Sequence, residues 1–127
     1  MREIEFRGKR IDNSEWVYGF LWVNRTATRE TFYITDAMGE MFQVHPETIG
    51  QYTGLKDKNG KKIFEGDIVR EQGTDYTPIY QNGIYMAYNV DKINDPYVST
   101  QFNVIWRNGC EIIGNIHDTP DLLKVSP

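Results

Sequence analysis

The chain of 127 residues has one cysteine, Cys110, so an internal disulfide is excluded and the protein suits a reducing compartment. It has two histidines, His45 and His117, and no paired-ligand spacing joins either of them to Cys110. A zinc site would have to be assembled wholly by the fold. Long apolar runs are missing: Met1-Arg2-Glu3-Ile4-Glu5-Phe6-Arg7 puts charge into every short window, unlike a signal peptide or membrane span. These absences predict a cytoplasmic protein with no membrane association. Asn24-Arg25-Thr26 matches a glycosylation acceptor that has no consequence without export. A positive surplus is also missing, with 14 Lys and Arg against 18 Asp and Glu. Residues 1–62 carry 10 basic and 9 acidic side chains, and residues 63–127 carry 4 and 9. The acidic second half disfavours general binding of a phosphate backbone.

Catalytic signatures are scarce too. The eleven glycines are spread among turns, with no phosphate-cradling loop and no dinucleotide pattern. Asp57-Lys58-Asn59-Gly60 opens like a calcium loop, but Lys61, Lys62 and Ile68 occupy the fifth, sixth and twelfth positions, where calcium needs an oxygen ligand, glycine and glutamate. Glu65 and Asp67 could share a strand face as paired carboxylates. Gly66 between them and the apolar Ile68-Val69 after them fit a bent strand entrance better. The sequence therefore predicts no catalytic, cofactor-binding or metal-binding residues, and a non-enzymatic protein.

What is present is β patterning. Ile4-Glu5-Phe6-Arg7 alternates with period two. Trp16 to Val23 places Trp16, Tyr18, Phe20 and Trp22 on one face and Val17, Leu21 and Val23 on the other, which predicts a central strand covered on both sides. The seventeen aromatic residues accordingly read as filling for a thin core, ahead of a stacking platform for single-stranded nucleic acid. Asp36 to Gly39 joins strands 31–35 and 41–44 as a hairpin, and Asn59-Gly60 supplies a tight turn among solvated lysines. Glu71 to Pro78 reads as a loop, Ile84 to Val90 as a strand, and Asp91 to Pro96 as a polar break. Phe102 to Ile113 reads as a hairpin turning at Asn108-Gly109, with Val104 opposite Ile113, Ile105 opposite Ile112 and Arg107 opposite Cys110. Asp118 to Leu123 reads as one helical turn, capped by Asp118 or Thr119 with Pro120 in its first turn.

Gly50-Gln51-Tyr52-Thr53-Gly54-Leu55-Lys56-Asp57-Lys58-Asn59-Gly60-Lys61-Lys62-Ile63-Phe64-Glu65-Gly66-Asp67-Ile68-Val69 closely resembles the signature of the YopX-like family of phage and prophage proteins. Met1 to Lys9, Ile113 to Ile116, Pro120 and Leu122-Leu123 resemble that family's ends, while Glu71 to Gln101 matches weakly or not at all. The resemblance implies a mainly β fold in which an N-terminal antiparallel sheet region is joined to a small barrel-like C-terminal β region. We place these at residues 1–55 and 68–127, the latter ending in the short helical turn, with a turn-rich junction at 56–67. The resemblance brings no catalytic residues.

The expected function is that of a phage or prophage accessory protein acting as a non-catalytic protein-interaction module, its partner a host or phage protein or a second copy of itself. The alternative is a nucleic-acid-associated accessory protein; a hydrolase with an unrecognised carboxylate site ranks below both. The residues singled out as a structural junction or partner surface are Gly50, Gly54, Leu55, Asp57, Lys58, Gly60, Phe64, Glu65, Gly66 and Asp67. Their visible chemistry is turn geometry, two apolar anchors and solvent-facing charge.

Overall fold

A computed structural model describes residues 3–90 and 99–120. The chain divides into two compact units, Met1–Tyr52 and Thr53–Pro127. In the first, β1 (Phe6–Lys9), β2 (Trp16–Arg25), β3 (Glu30–Thr35) and β4 (Met41–Val44) form antiparallel neighbours, and a 3-10 turn at Pro46–Thr48 leads into β5 (Gly50–Lys56), which returns beside β1. The alternation of side chains carries Val17, Ile34 and Val44 into one core with Phe6, Leu21, Phe32, Phe42 and Ile49 against it. The β3–β4 hairpin turns where the sequence predicts. Asp36 Oδ1 accepts the backbone N–H groups of Met38 and Glu40, and Gly39 adopts φ 83°.

The second unit contains β6 (Lys62–Phe64), β7 (Asp67–Glu71), β8 (Thr74–Gln81), β9 (Ile84–Asn89), β10 (Ser99–Gln101), a short helix α1 (Phe102–Arg107) and β11 (Glu111–Asn115). The distal part of β5 pairs with β6, and Thr53 Oγ1 donates to the Ile63 carbonyl at 2.8 Å. The remaining strands lie in the order β10-β9-β8-β7-β11. Their core is Ile63, Val69, Ala87, Phe102, Ile105 and Cys110, with Leu55, Tyr76, Tyr85 and Ile112 packed on it.

The mainly β class stands, but the barrel-like C-terminal region does not. Both rows of strands are antiparallel and open, β4-β3-β2-β1-β5-β6 and β10-β9-β8-β7-β11, with no pairing between first and last strand among the described residues. Closure needs a ladder between the outermost strands. β10 has three residues and runs directly into α1, so it offers β11 none. In the first unit Arg10 and Val44 form an isolated bridge, flanked by the Ile11 N–H on the Gln43 carbonyl and the His45 N–H on the Lys9 carbonyl, a single residue pair rather than a ladder.

Two local expectations are also overturned. Glu71 to Pro78 is not a loop, because Gln72 and Gly73 (φ 49° and 80°) make a tight turn into β8. Pro78 is accommodated because it lies beyond Tyr76, the last β8 residue with a β7 partner, where a missing N–H costs little. The Asn108-Gly109 hairpin is absent as well. Phe102 and Ile105 are buried at helical spacing, Asn108 stays in the right-handed region, and Gly109, at φ 89°, closes α1 by donating to the Trp106 carbonyl at 3.0 Å. Ile112 faces Val69 of β7 instead of Ile105. Gly109→Ala is expected to cost about 1 kcal/mol in urea denaturation, the penalty for a side chain in that left-handed position. Of the expected terminal helical turn, residues 121–123 lie outside the described residues, as does the polar break at 91–96. Up to Pro120 the chain turns on Asn115, whose side-chain oxygen accepts the N–H groups of His117 and Asp118.

Candidate interaction surface

β2 pairs with β1 up to Gly19 and with β3 from Phe20 onward, so the two halves of the strand serve different neighbours. At the changeover, a Cβ on Gly19 would stand 1.9 Å from the Thr35 carbonyl oxygen, an approach that only glycine permits. The strand is central by its hydrogen bonds, yet its aromatic side is not covered. Tyr18, Phe20 and Trp22 are 43%, 70% and 39% exposed, so the expectation of protein on both sides fails here. Trp22 stacks on Tyr33 of β3 with ring centroids 4.6 Å apart, and its Nε1 meets Met41 Sδ at 3.0 Å; Met41 is itself half exposed. At the other end Arg7 and Lys9 lie over the Trp16 ring at 4.5 and 5.4 Å. The result is an exposed aromatic face in which Trp22 is held by its stack on Tyr33 and Trp16 by the cations over it, with Tyr18 and Phe20 between them.

Beside Gly19 this face opens into a cleft of about 230 Å³, floored by Tyr18 and Phe20 and bordered by Glu3, Ile4, Glu5, Thr35 and Asp36. Oδ1 of Asp36 is held by the β3–β4 turn, which fixes that carboxylate at the rim.

The residues singled out in the sequence lie elsewhere. Gly50 opens β5 in the first unit, opposite Arg7. In the second unit Gly54 and Gly60 are exposed with φ 89° and 84°, and Leu55 is half buried on the core. Asp57 is buried: Oδ1 accepts the N–H groups of Asn59 and Lys61 at 2.9 Å, and Oδ2 accepts that of Ile112 at 3.1 Å. Desolvation pushes its pKa up, but the donors of Ile112, Lys61 and Asn59, with the Lys61 charge, outweigh it and hold the carboxyl below its ordinary range. The Lys58 side chain is exposed, 3.7 Å from Glu111, while its backbone N–H donates to the Cys110 carbonyl. Phe64 is buried and donates its N–H to Asp67 Oδ2 at 2.7 Å; Glu65 and Gly66 form the intervening turn, and Gly66 O accepts from Ile116. The fold thus joins the Asp57 turn to the start of β11 and closes the Phe64–Asp67 turn on itself.

These carboxylates serve as acceptors for backbone groups. Glu65 and Asp67 do not form a facing pair at an open site: Glu65 is half buried and Asp67 is fully enclosed. Burial first, then the charges of Asp57 and Glu71, raise the pKa of Cys110 and suppress the thiolate a nucleophile would need. Among the described residues no three His, Cys, Asp or Glu side chains gather as a metal-ligand set. The aromatic surface is what the sequence reading missed. Its signal was present in the shared parity of Tyr18, Phe20 and Trp22, but parity does not say which side of a strand is wet.

No curated protein matches the chain. The crystal structure of protein EF1440 from Enterococcus faecalis is similar in fold, with a TM-score of 0.54 at 24% identity, covering 97% of this chain and 99% of that one. The profile of the YopX protein family matches residues 5–124. With nearly the whole chain matched and its signature placed on the Asp57 and Asp67 turns, the protein belongs to the YopX family of phage and prophage proteins.

Proposed function

We propose that the protein is a non-catalytic interaction module that engages a host or phage protein through the aromatic side of β2. The observation that carries this reading is the exposure of Tyr18, Phe20, Trp22 and Met41 together on one face. Contiguous exposed apolar surface is characteristic of binding sites, and aromatic rings held rigid by stacking contribute most to such contacts. The Gly50–Asp67 segment is read as a structural junction, supported by the backbone hydrogen bonds of Thr53, Asp57 and Asp67. Among the described residues no helix is long and apolar enough to cross a membrane. Action in the host cytoplasm fits the single buried thiol.

Base stacking is the competing use of the same rings, and Arg7 and Lys9 beside Trp16 favour it. Against it, residues 1–52 carry six basic and eight acidic side chains. A pull-down from prophage-carrying cells with nuclease-controlled washing separates the two. Phe20→Ser together with Trp22→Ser is expected to leave the fold intact and to weaken capture of a specific protein by about 30-fold or more, the effect of losing an interface hot spot. Undiminished capture by the variant, or recovery of nucleic acid alone, would reverse the reading.

A further inference from the structure

Asparagine followed directly by glycine occurs three times, at Asn59-Gly60, Asn82-Gly83 and Asn108-Gly109, and the fold treats the three pairs differently. In this dipeptide the main-chain nitrogen meets least obstruction in reaching the preceding side-chain amide, since glycine has no Cβ to block the approach. In two of the pairs that nitrogen is engaged. Gly60 donates its N–H to the Asp57 carbonyl at 3.0 Å, and the side-chain amide of Asn59 is turned to Glu111 at 3.4 Å. Gly109 donates to the Trp106 carbonyl at 3.0 Å. Asn82-Gly83 is the exception. Both residues are exposed, at φ 54° and 89°, the arrangement of a two-residue hairpin turn whose ladder bonds join Gln81 and Ile84 and use neither turn N–H.

We propose that the fold singles out Asn82-Gly83 as a self-modification site, at which the Gly83 nitrogen converts Asn82 to an acidic residue and so loosens the end of the β8–β9 hairpin. The nitrogen gives up its proton and attacks Cγ of Asn82; an N–Cγ bond forms, the Cγ–Nδ2 bond breaks, and the amide nitrogen leaves with that proton as ammonia. Water then opens the cyclic imide. Cleavage of the new bond leaves aspartate, and cleavage of the original peptide bond leaves isoaspartate, whose chain runs through Cβ and Cγ and is one atom longer. Asparagine and water give acid and ammonia, with no oxidation. Between Asp75 and Asp91 the chain has no charged residue, so the product puts the first charge on the far end of this hairpin, beside the exposed Tyr80 and Ile84. Isoaspartate also lengthens a turn that must close the Gln81↔Ile84 pair, and the Tyr80–Tyr85 ring contact at 5.1 Å is next along the ladder. Beyond Tyr76, β8 has no β7 partner among the described residues to hold the register.

The test is to age the full chain in warm, mildly alkaline buffer and follow each Asn-Gly pair by peptide mapping and mass spectrometry, with isoaspartyl methyltransferase labelling as a second readout. In the folded protein, conversion at Asn82 is expected to run about tenfold faster than at Asn59 or Asn108, the factor that arises when one hydrogen bond must open first. In urea, where no pair is constrained, the three rates should come together. Material enriched in isoaspartate is expected to show shifted amides at Tyr80, Gln81 and Ile84 and faster hydrogen exchange at Ile84, beyond the changes seen in Asn82→Asp, whose backbone is normal. Equal rates in the folded chain, conversion led by Asn59 or Asn108, an unchanged ranking in urea, or isoaspartate material whose hairpin matches that of Asn82→Asp would each overturn the proposal.

Discussion

Gly19→Ala is expected to destabilise the first unit by about 3 kcal/mol or more, seen as a lower urea midpoint in the fluorescence of Trp16 and Trp22. The added methyl carbon would stand 1.9 Å from the Thr35 carbonyl oxygen and 3.1 Å from the Asp36 Cα. Both obstacles are backbone atoms, which cannot rotate away as the end of a side chain can. The β2–β3 ladder would have to shift or open from Phe20↔Thr35 outward. The strand also forms the floor of the cleft, so whatever alanine variant remains folded should show displaced amides at Phe20 and Ala37. Gly39→Ala is a useful contrast: a Cβ there meets nothing within 4 Å, leaving only the cost of its positive φ. Equal stability of the Gly19→Ala variant and the wild type would mean that β2 and β3 do not approach this closely in solution.

Asp57→Ala is expected to cost about 3 kcal/mol, read from the unfolding of the second unit, where Trp106 is the reporter. The substitution leaves three backbone donors without their acceptor. Those of Asn59 and Lys61 lie in an exposed turn where water can serve, while Ile112 sits in β11 against β7 and loses most. The pH dependence has a definite sign. The folded carboxyl is held below the ordinary value of about 3.9, so its contribution is complete above that value and disappears as pH falls through the folded pKa. Wild type should therefore lose stability below about pH 4 relative to Asp57→Asn, which cannot titrate. Parallel pH profiles for the two proteins would remove Asp57 from its proposed role in joining the turn to β11.

Much of the fold was legible because it rests on short-range chemistry. Asp36 and Gly39 specify their hairpin through side-chain acceptance and a positive φ within four residues, and Asn59-Gly60 does the same among its lysines. Alternation in β1, β2 and β3 places their strands. Asn108-Gly109 misled because the same pair serves two geometries. A hairpin turn needs both residues left-handed, whereas a helix cap needs only the glycine, and what decides is whether Phe102 and Ile105 find a core at helical spacing.

The amino-acid sequence by itself determined the β class, the Asp36–Gly39 and Asn59-Gly60 turns, the family and the absence of recognisable catalytic motifs, since each depends on residues a few positions apart or on composition. Tertiary structure decided which side of β2 is wet, why Asp57 is buried, and whether the sheets close. β2 carries apolar residues on both sides, so only the supply of neighbours selects the buried one; the core formed on Val17 and Leu21 and left the rings outside. Asp57 finds its third donor fifty-five residues away, at Ile112. Barrel closure depends on a ladder between outermost strands, and β10 gives way to α1 before such a ladder can form.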